Sequence, residues 1–74
     1  MKAVVWSKLN CPYCVEAIYI LKSKGYEIEE RKIGVDFTKD QLLESVPKAK
    51  TVPQIFLDSE YIGSCDDLKK HFGM

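Results

Sequence analysis

Ala3-Val4-Val5-Trp6-Ser7-Lys8-Leu9-Asn10-Cys11-Pro12-Tyr13-Cys14 joins an apolar strand to a helix whose first turn carries two thiols. Ala3 to Trp6 is short and continuously apolar, which suits a strand covered on both faces rather than one that alternates. Ser7 to Asn10 is the connecting loop. Pro12 fits a first helical position, where a missing N–H matters little, and the helix it opens sets Cys14, Val15, Ile18 and Leu21 on one face. Gly25 fits the residue past its end, and Lys22 and Lys24 lie where the helix dipole favours cations.

Downstream, Tyr26 to Ile33 is a second strand, with Glu29-Glu30-Arg31-Lys32 as a solvated face. Strand, helix and strand in succession make one right-handed parallel crossover. Thr38 to Val46 is a second helix, with Thr38 as N-cap, Leu42, Leu43 and Val46 turned inward, and Pro47 helping to stop it. Pro53 to Leu57 is a third strand, Asp58-Ser59-Glu60 a turn and Tyr61-Ile62 a short fourth strand. Pro53 at a strand's first position loses no ladder bond. Cys65-Asp66-Asp67-Leu68 has the acidic first turn of a helix that continues to about Phe72. The expected order is βαβ, helix, ββα, an α/β architecture.

A chain of 74 residues with 46% apolar content builds one core, so a single domain is expected over 1–74. Eleven basic and eleven acidic residues leave no basic footprint for nucleic acid and no polybasic face for a membrane. The first apolar run, Ala3 to Val5, is far shorter than a secretory core or a membrane span. The expectation is a cytoplasmic monomer.

Three cysteines are an odd number for a small disulfide framework, and two of them stand close together while Cys65 is remote. In a reducing compartment such a pair is catalytic or metal-binding. A structural zinc site needs four ligands, and Cys65 and His71 do not have the spacing of a second ligand pair. A C-x-x-C at the strand-to-helix turn of a βαβ unit is instead a redox signal. The helix N-terminus favours a thiolate, so Cys11 is expected to ionise below the ordinary ~8.5 and act as the exposed nucleophile. Cys14, one turn further in, is the shielded, resolving thiol.

Other segments have two readings each. Lys8 adds positive potential or is an ordinary loop lysine. Thr51-Val52-Pro53 is a turn into a strand or, with a cis bond, offers the Val52 N–H and C=O to an extended peptide. Gly63-Ser64-Cys65-Asp66-Asp67 is a helix cap or a site for a ligand carboxylate, with Asp66 facing an amine. Cys65 reads as a semi-buried thiol without a catalytic step, His71 as a helix-end histidine and Trp6 as core or core edge.

Ser7-Lys8 before Cys11-Pro12-Tyr13-Cys14, then Thr51-Val52-Pro53-Gln54-Ile55-Phe56, then Gly63-Ser64-Cys65-Asp66-Asp67-Leu68 together resemble the dithiol glutaredoxins. The resemblance implies a thioredoxin-like fold, a four-stranded mixed sheet flanked by three helices. It implies reduction of protein disulfides and glutathione mixed disulfides, with glutathione as co-substrate and no tightly bound cofactor. Cys11 would attack, Cys14 would resolve and Pro53 would be a cis-proline beside them. Glutathione would lie along Thr51 and Val52, with its γ-glutamyl end at Cys65 and Asp66, its glycine carboxylate towards Lys8 and Tyr13 at the border. Implied partners are glutathionylated or disulfide-containing proteins, a ribonucleotide reductase among them.

Two positions depart from the family pattern. Ser64 stands where the family usually has glycine, placing a side chain at the approach to the γ-glutamyl site. Lys39 and Gln41 are both candidates for the second-helix residue that meets the glycine carboxylate. Two rival functions also follow. One is a redoxin reduced by thioredoxin reductase, against which Asp66-Asp67 and Lys8 argue. The other is a carrier of an iron-sulfur cluster held by Cys11 thiolates and glutathione, against which Pro12 and the second thiol argue.

Overall fold

In the computed structural model, which describes residues 1–74, all seven expected elements are present. They are β1 (Lys2–Ser7), α1 (Pro12–Ser23), β2 (Glu27–Lys32), α2 (Lys39–Ser45), β3 (Gln54–Leu57), β4 (Glu60–Gly63) and α3 (Cys65–His71). Their ends are set by local chemistry. Pro12 opens α1, and Gly25, at φ +85°, takes the left-handed turn beyond it. Thr38 and Gln41 form a reciprocal capping box at α2, and Ser64 and Asp67 form another at α3. The β3–β4 turn runs through Asp58 and Ser59, both at positive φ, as a tight hairpin between right-twisted strands requires.

The sheet order is β2-β1-β3-β4, with β1 and β2 parallel and the other two pairs antiparallel. The β3–β4 pairing slips between Ile55 and Phe56, leaving a bulge. On one face, Ala3, Val5, Ile55 and Leu57 pack against Ala17, Ile20 and Leu21 of α1 and Leu68 of α3. On the other, Trp6 packs against Leu42 and Val46, with the Phe37 ring edge-on at 5.3 Å. Leu21 is wholly buried, and truncating such a residue to alanine costs about 2–5 kcal/mol. That is a large part of the ~5–15 kcal/mol that holds a domain folded.

Three expectations about facing need correction. Val15 was expected inward but is 68% exposed; Ala17 and Ile20 take the buried places with Cys14 and Leu21. Leu43 is only half-buried, because the seven-residue α2 turns Leu42 squarely to the sheet. The Glu29 to Lys32 run is not one solvated face, since successive strand residues point to opposite sides. Arg31 lies over the rings of Trp6 and Phe37, at 5.1 and 5.2 Å, while Glu30 accepts a hydrogen bond from the buried Ser7 hydroxyl at 2.7 Å.

Register explains where a site forms. Trp6 pairs with Gln54, so the end of β1 lies beside the start of β3; Ile55 pairs with Gly63, so the end of β4 follows. The Cys11 loop, the Thr51–Pro53 segment and the start of α3 therefore converge at one end of the sheet.

Candidate active site

Cys11 and Cys14 form a disulfide across the first turn of α1, with their Cα atoms 5.3 Å apart. Cys11 is the N-cap, and its sulfur accepts the Cys14 N–H at 3.3 Å. The same N–H also donates to the Cys11 carbonyl at 3.1 Å, so the sulfur shares a first-turn donor at the positive end of the helix, which favours an anion there once the disulfide opens. Both thiols are buried, Cys11 keeping 7% of its surface and Cys14 2%, which corrects the expectation of an exposed Cys11: closing the disulfide draws its sulfur against the first turn of α1.

The Val52 carbonyl oxygen lies 4.0 Å from the Cys11 sulfur, and the Val52–Pro53 bond is cis. The Val52 N–H has no partner within the chain. A hollow of about 270 Å³ runs from Tyr13 past Thr51, Val52 and Pro53 to Ser64, Cys65 and Asp66. Thr51 and Val52 also line a second hollow of about 210 Å³, whose cations are Lys8, Lys39 and Lys50. The two share a wall, making one groove with an acidic end and a basic end. The structure thus brings together Tyr13, Thr51, Val52, Pro53, Cys65 and Asp66 in the first hollow, and Lys8 with Thr51 and Val52 in the second.

Of the two second-helix candidates, Lys39 lines the basic hollow, whereas the Gln41 side chain is occupied in the α2 cap, accepting the Thr38 N–H at 2.7 Å. Ser64 turns its hydroxyl to the α3 cap, 3.0 Å from the Asp67 carboxylate, rather than leaving it free. Gly63 beside it lies at φ +119°, a conformation that L side chains rarely adopt, and a Cβ there would also push the Asp67 carboxylate out of the cap. The backbone N–H and hydroxyl of Ser64 hold the Asp67 carboxyl below the usual range. Burial pushes the Cys65 thiol above its ordinary value, and the Glu16 carboxylate, 3.8 Å away, adds to this. Glu16 in turn pairs with Lys69 at 2.8 Å, tying α1 to α3, and raises the lysine's pKa.

Two contributors escaped the sequence reading. Lys50 carries no signal beyond its nearness to Thr51. Gln54, nearly fully buried, donates its amide N–H to the Thr51 carbonyl at 2.7 Å and accepts the Tyr61 hydroxyl at 2.6 Å, bracing the groove wall. Its alternation in β3 marked it as a polar residue on a covered strand, which is the signal that was available. The largest hollow, about 720 Å³ on the α2 side of the sheet, holds neither thiols nor groove residues. Its charges are matched internally, Arg31 and Lys2 holding the Glu29 carboxyl below the usual range.

The glutaredoxin family model matches residues 3–62. Glutaredoxin 3 of Escherichia coli is 41% identical over 64 residues, covering 86% of this chain and 77% of that protein. The structure of reduced Escherichia coli glutaredoxin superposes with a TM-score of 0.81 at 29% identity, covering 99% of this chain and 94% of the other. A buckwheat glutaredoxin–glutathione complex superposes with a TM-score of 0.66 at 29% identity, covering 96% of this chain and 69% of the other.

Proposed function

The chain belongs to the glutaredoxin family and is a thiol-disulfide oxidoreductase, and on that premise we propose that it uses glutathione to reduce protein disulfides and glutathione mixed disulfides. The observation that carries this reading is the groove with unlike ends beside the reactive sulfur. A γ-glutamyl-cysteinyl-glycine places an amine and a carboxylate at one end and a carboxylate alone at the other. Asp66 with the unpaired first-turn N–H groups of α3 suits the former, and Lys8, Lys39 and Lys50 suit the latter. Between them, Val52 offers backbone pairing to the cysteinyl residue, with Tyr13 at the border. A structural neighbour, the buckwheat glutaredoxin, forms a complex with glutathione, which supports glutathione as the ligand class.

In the proposed cycle, the Cys11 thiolate attacks one sulfur of a protein disulfide, and the other sulfur leaves as a thiolate. Cys14 then gives up its proton and attacks Cys11, releasing the reduced protein and leaving the Cys11–Cys14 disulfide seen here. One glutathione thiolate opens that disulfide at Cys11, and a second removes the first as glutathione disulfide. With a glutathione mixed disulfide, Cys11 takes the glutathionyl group directly and a second glutathione releases it, so Cys14 is not needed.

Coupled assays test the donor. Turnover is expected with glutathione, its reductase and nicotinamide cofactor. Turnover with thioredoxin reductase and none with glutathione would overturn the reading.

A further inference from the structure

The outward side of α1 carries apolar residues where a helix packed on one side ordinarily carries polar ones. Val15 is 68% and Tyr19 74% exposed, and Leu9, in the loop before the helix, is 61% exposed. At about 100° per residue, Pro12, Val15 and Tyr19 fall within about 60° of arc, so they form one stripe along the helix. The stripe starts at the reactive sulfurs, because Leu9, Pro12 and Val15 line a hollow of about 500 Å³ together with Cys11 and Cys14. That hollow has no lining residue in common with the one from Tyr13 to Asp66 and shares only Lys8 with the basic end of the groove. Glutathione bound as proposed leaves the stripe bare.

Charge around the hollow is uneven. Lys8 and Lys32 both line it and neither forms an ion pair within the chain, whereas its one carboxylate, Glu30, already accepts the Ser7 hydroxyl. An approaching carboxylate is favoured there over an approaching cation.

We infer that the Leu9–Val15–Tyr19 stripe is the docking surface for protein disulfide substrates, and that it selects an exposed segment with an apolar residue and a carboxylate beside the reacting cysteine. The occupant follows from continuity with the reacting bond. A polypeptide whose sulfur is joined to Cys11 and whose chain does not enter the glutathione groove leaves across this stripe. The inference rests on the protein-disulfide part of the proposed function and is independent of the electron donor. The electrons come from the protein's own dithiol: one disulfide bond in the substrate breaks, the Cys11–Cys14 bond forms, and the substrate takes up the Cys14 proton and one more from solvent.

The test is a single-turnover reaction, with the protein reduced by dithiothreitol and desalted beforehand, so a failure of the glutathione reading does not obscure it. Two ten-residue peptides with an internal disulfide serve as probes, one flanked by leucine and aspartate, the other by serine and lysine. Wild-type protein is expected to reduce the first about ten-fold faster. The double variant Val15→Ser/Tyr19→Ser is expected to lose most of that preference while reacting at the wild-type rate with hydroxyethyl disulfide, which is too small to reach the stripe. Because both positions are exposed, its circular dichroism and Tm are expected to match wild type. Equal wild-type rates on the two peptides, or an undiminished preference in the variant, would sink the inference. So would a wild-type dimer, seen by sedimentation, that dissociates in the variant, since a second copy would then be the occupant.

Discussion

The Cys14 N–H points at the Cys11 sulfur from 3.3 Å, so in the proposed cycle the resolving residue's own backbone is a donor that stabilises charge on the attacking one. Substitution should therefore separate two roles. Cys11→Ser is expected to lose all turnover, whereas Cys14→Ser keeps its backbone donor and is expected to retain activity on glutathione mixed disulfides while losing it on protein disulfides. Ultraviolet thiolate absorbance should show Cys11 of the Cys14→Ser variant half-ionised below the ~8.5 of a free cysteine. Equal loss of both activities in the two variants would contradict this assignment.

Gln54 acts on the groove at one remove, through the Thr51 carbonyl. Losing one such hydrogen bond costs about 1 kcal/mol, so Gln54→Leu is expected to raise the KM for a glutathione mixed disulfide about five-fold. The rate of Cys11 alkylation by iodoacetamide should not change. A variant slowed equally in both measurements would mean that Gln54 supports the fold in general rather than the groove wall.

Lys39 and Lys50 are solvent-exposed, and the attraction they offer a carboxylate is screened by salt. The KM for glutathione is expected to rise with ionic strength in wild type, and in Lys39→Gln/Lys50→Gln to be higher with a shallower rise, Lys8 remaining. Should the variant keep the wild-type salt slope, the basic hollow does not hold the glycine carboxylate.

The α3 cap ties stability to pH. The Asp67 carboxyl is held below its ordinary value by the Ser64 N–H and then the Ser64 hydroxyl, so its contribution is complete above the unfolded pKa of ~3.9. It is lost as pH falls through the lower folded value. Melting curves of wild type and Asp67→Asn should differ by a constant amount from about pH 7 to 5 and converge below about pH 4. Ser64→Ala removes the other half of the box and should destabilise the protein by about 1 kcal/mol, whereas Ser64→Gly should cost only a few tenths.

Cys65 is the free thiol, and burial with the Glu16 carboxylate beside it keeps the sulfur protonated at neutral pH. Mass spectrometry of fully reduced protein after brief iodoacetamide treatment at pH 7 should find a single adduct, at Cys11. Early labelling of Cys65 would show that α3 opens readily.

Much of this was legible from sequence because caps and thiols act locally. Thr38, Pro12, Gly25 and the acidic turn at Asp66 and Asp67 each mark an element end through contacts within a few residues, and every element appeared where those marks lie. The facing of α1 was less legible. Cys14, Val15, Ile18, Leu21 and Cys14, Ala17, Ile20, Leu21 both satisfy helical spacing, and only packing against Ala3 and Val5 of β1 selects the second set. Lys50 and Gln54 escaped for a related reason. Their roles depend on β3 lying beside β1, a relationship between segments some fifty residues apart.

The outermost strands have a bearing on this protein's dealings with other chains. β2 is thick with charge, and β4 is four residues long beside a bulge, so neither presents a long, flat, apolar row of free backbone groups. Such rows are templates for aggregation. In the proposed cycle the molecule joins itself covalently to other proteins yet offers them no template to extend, so its attachment to each is undone when a single sulfur–sulfur bond is exchanged.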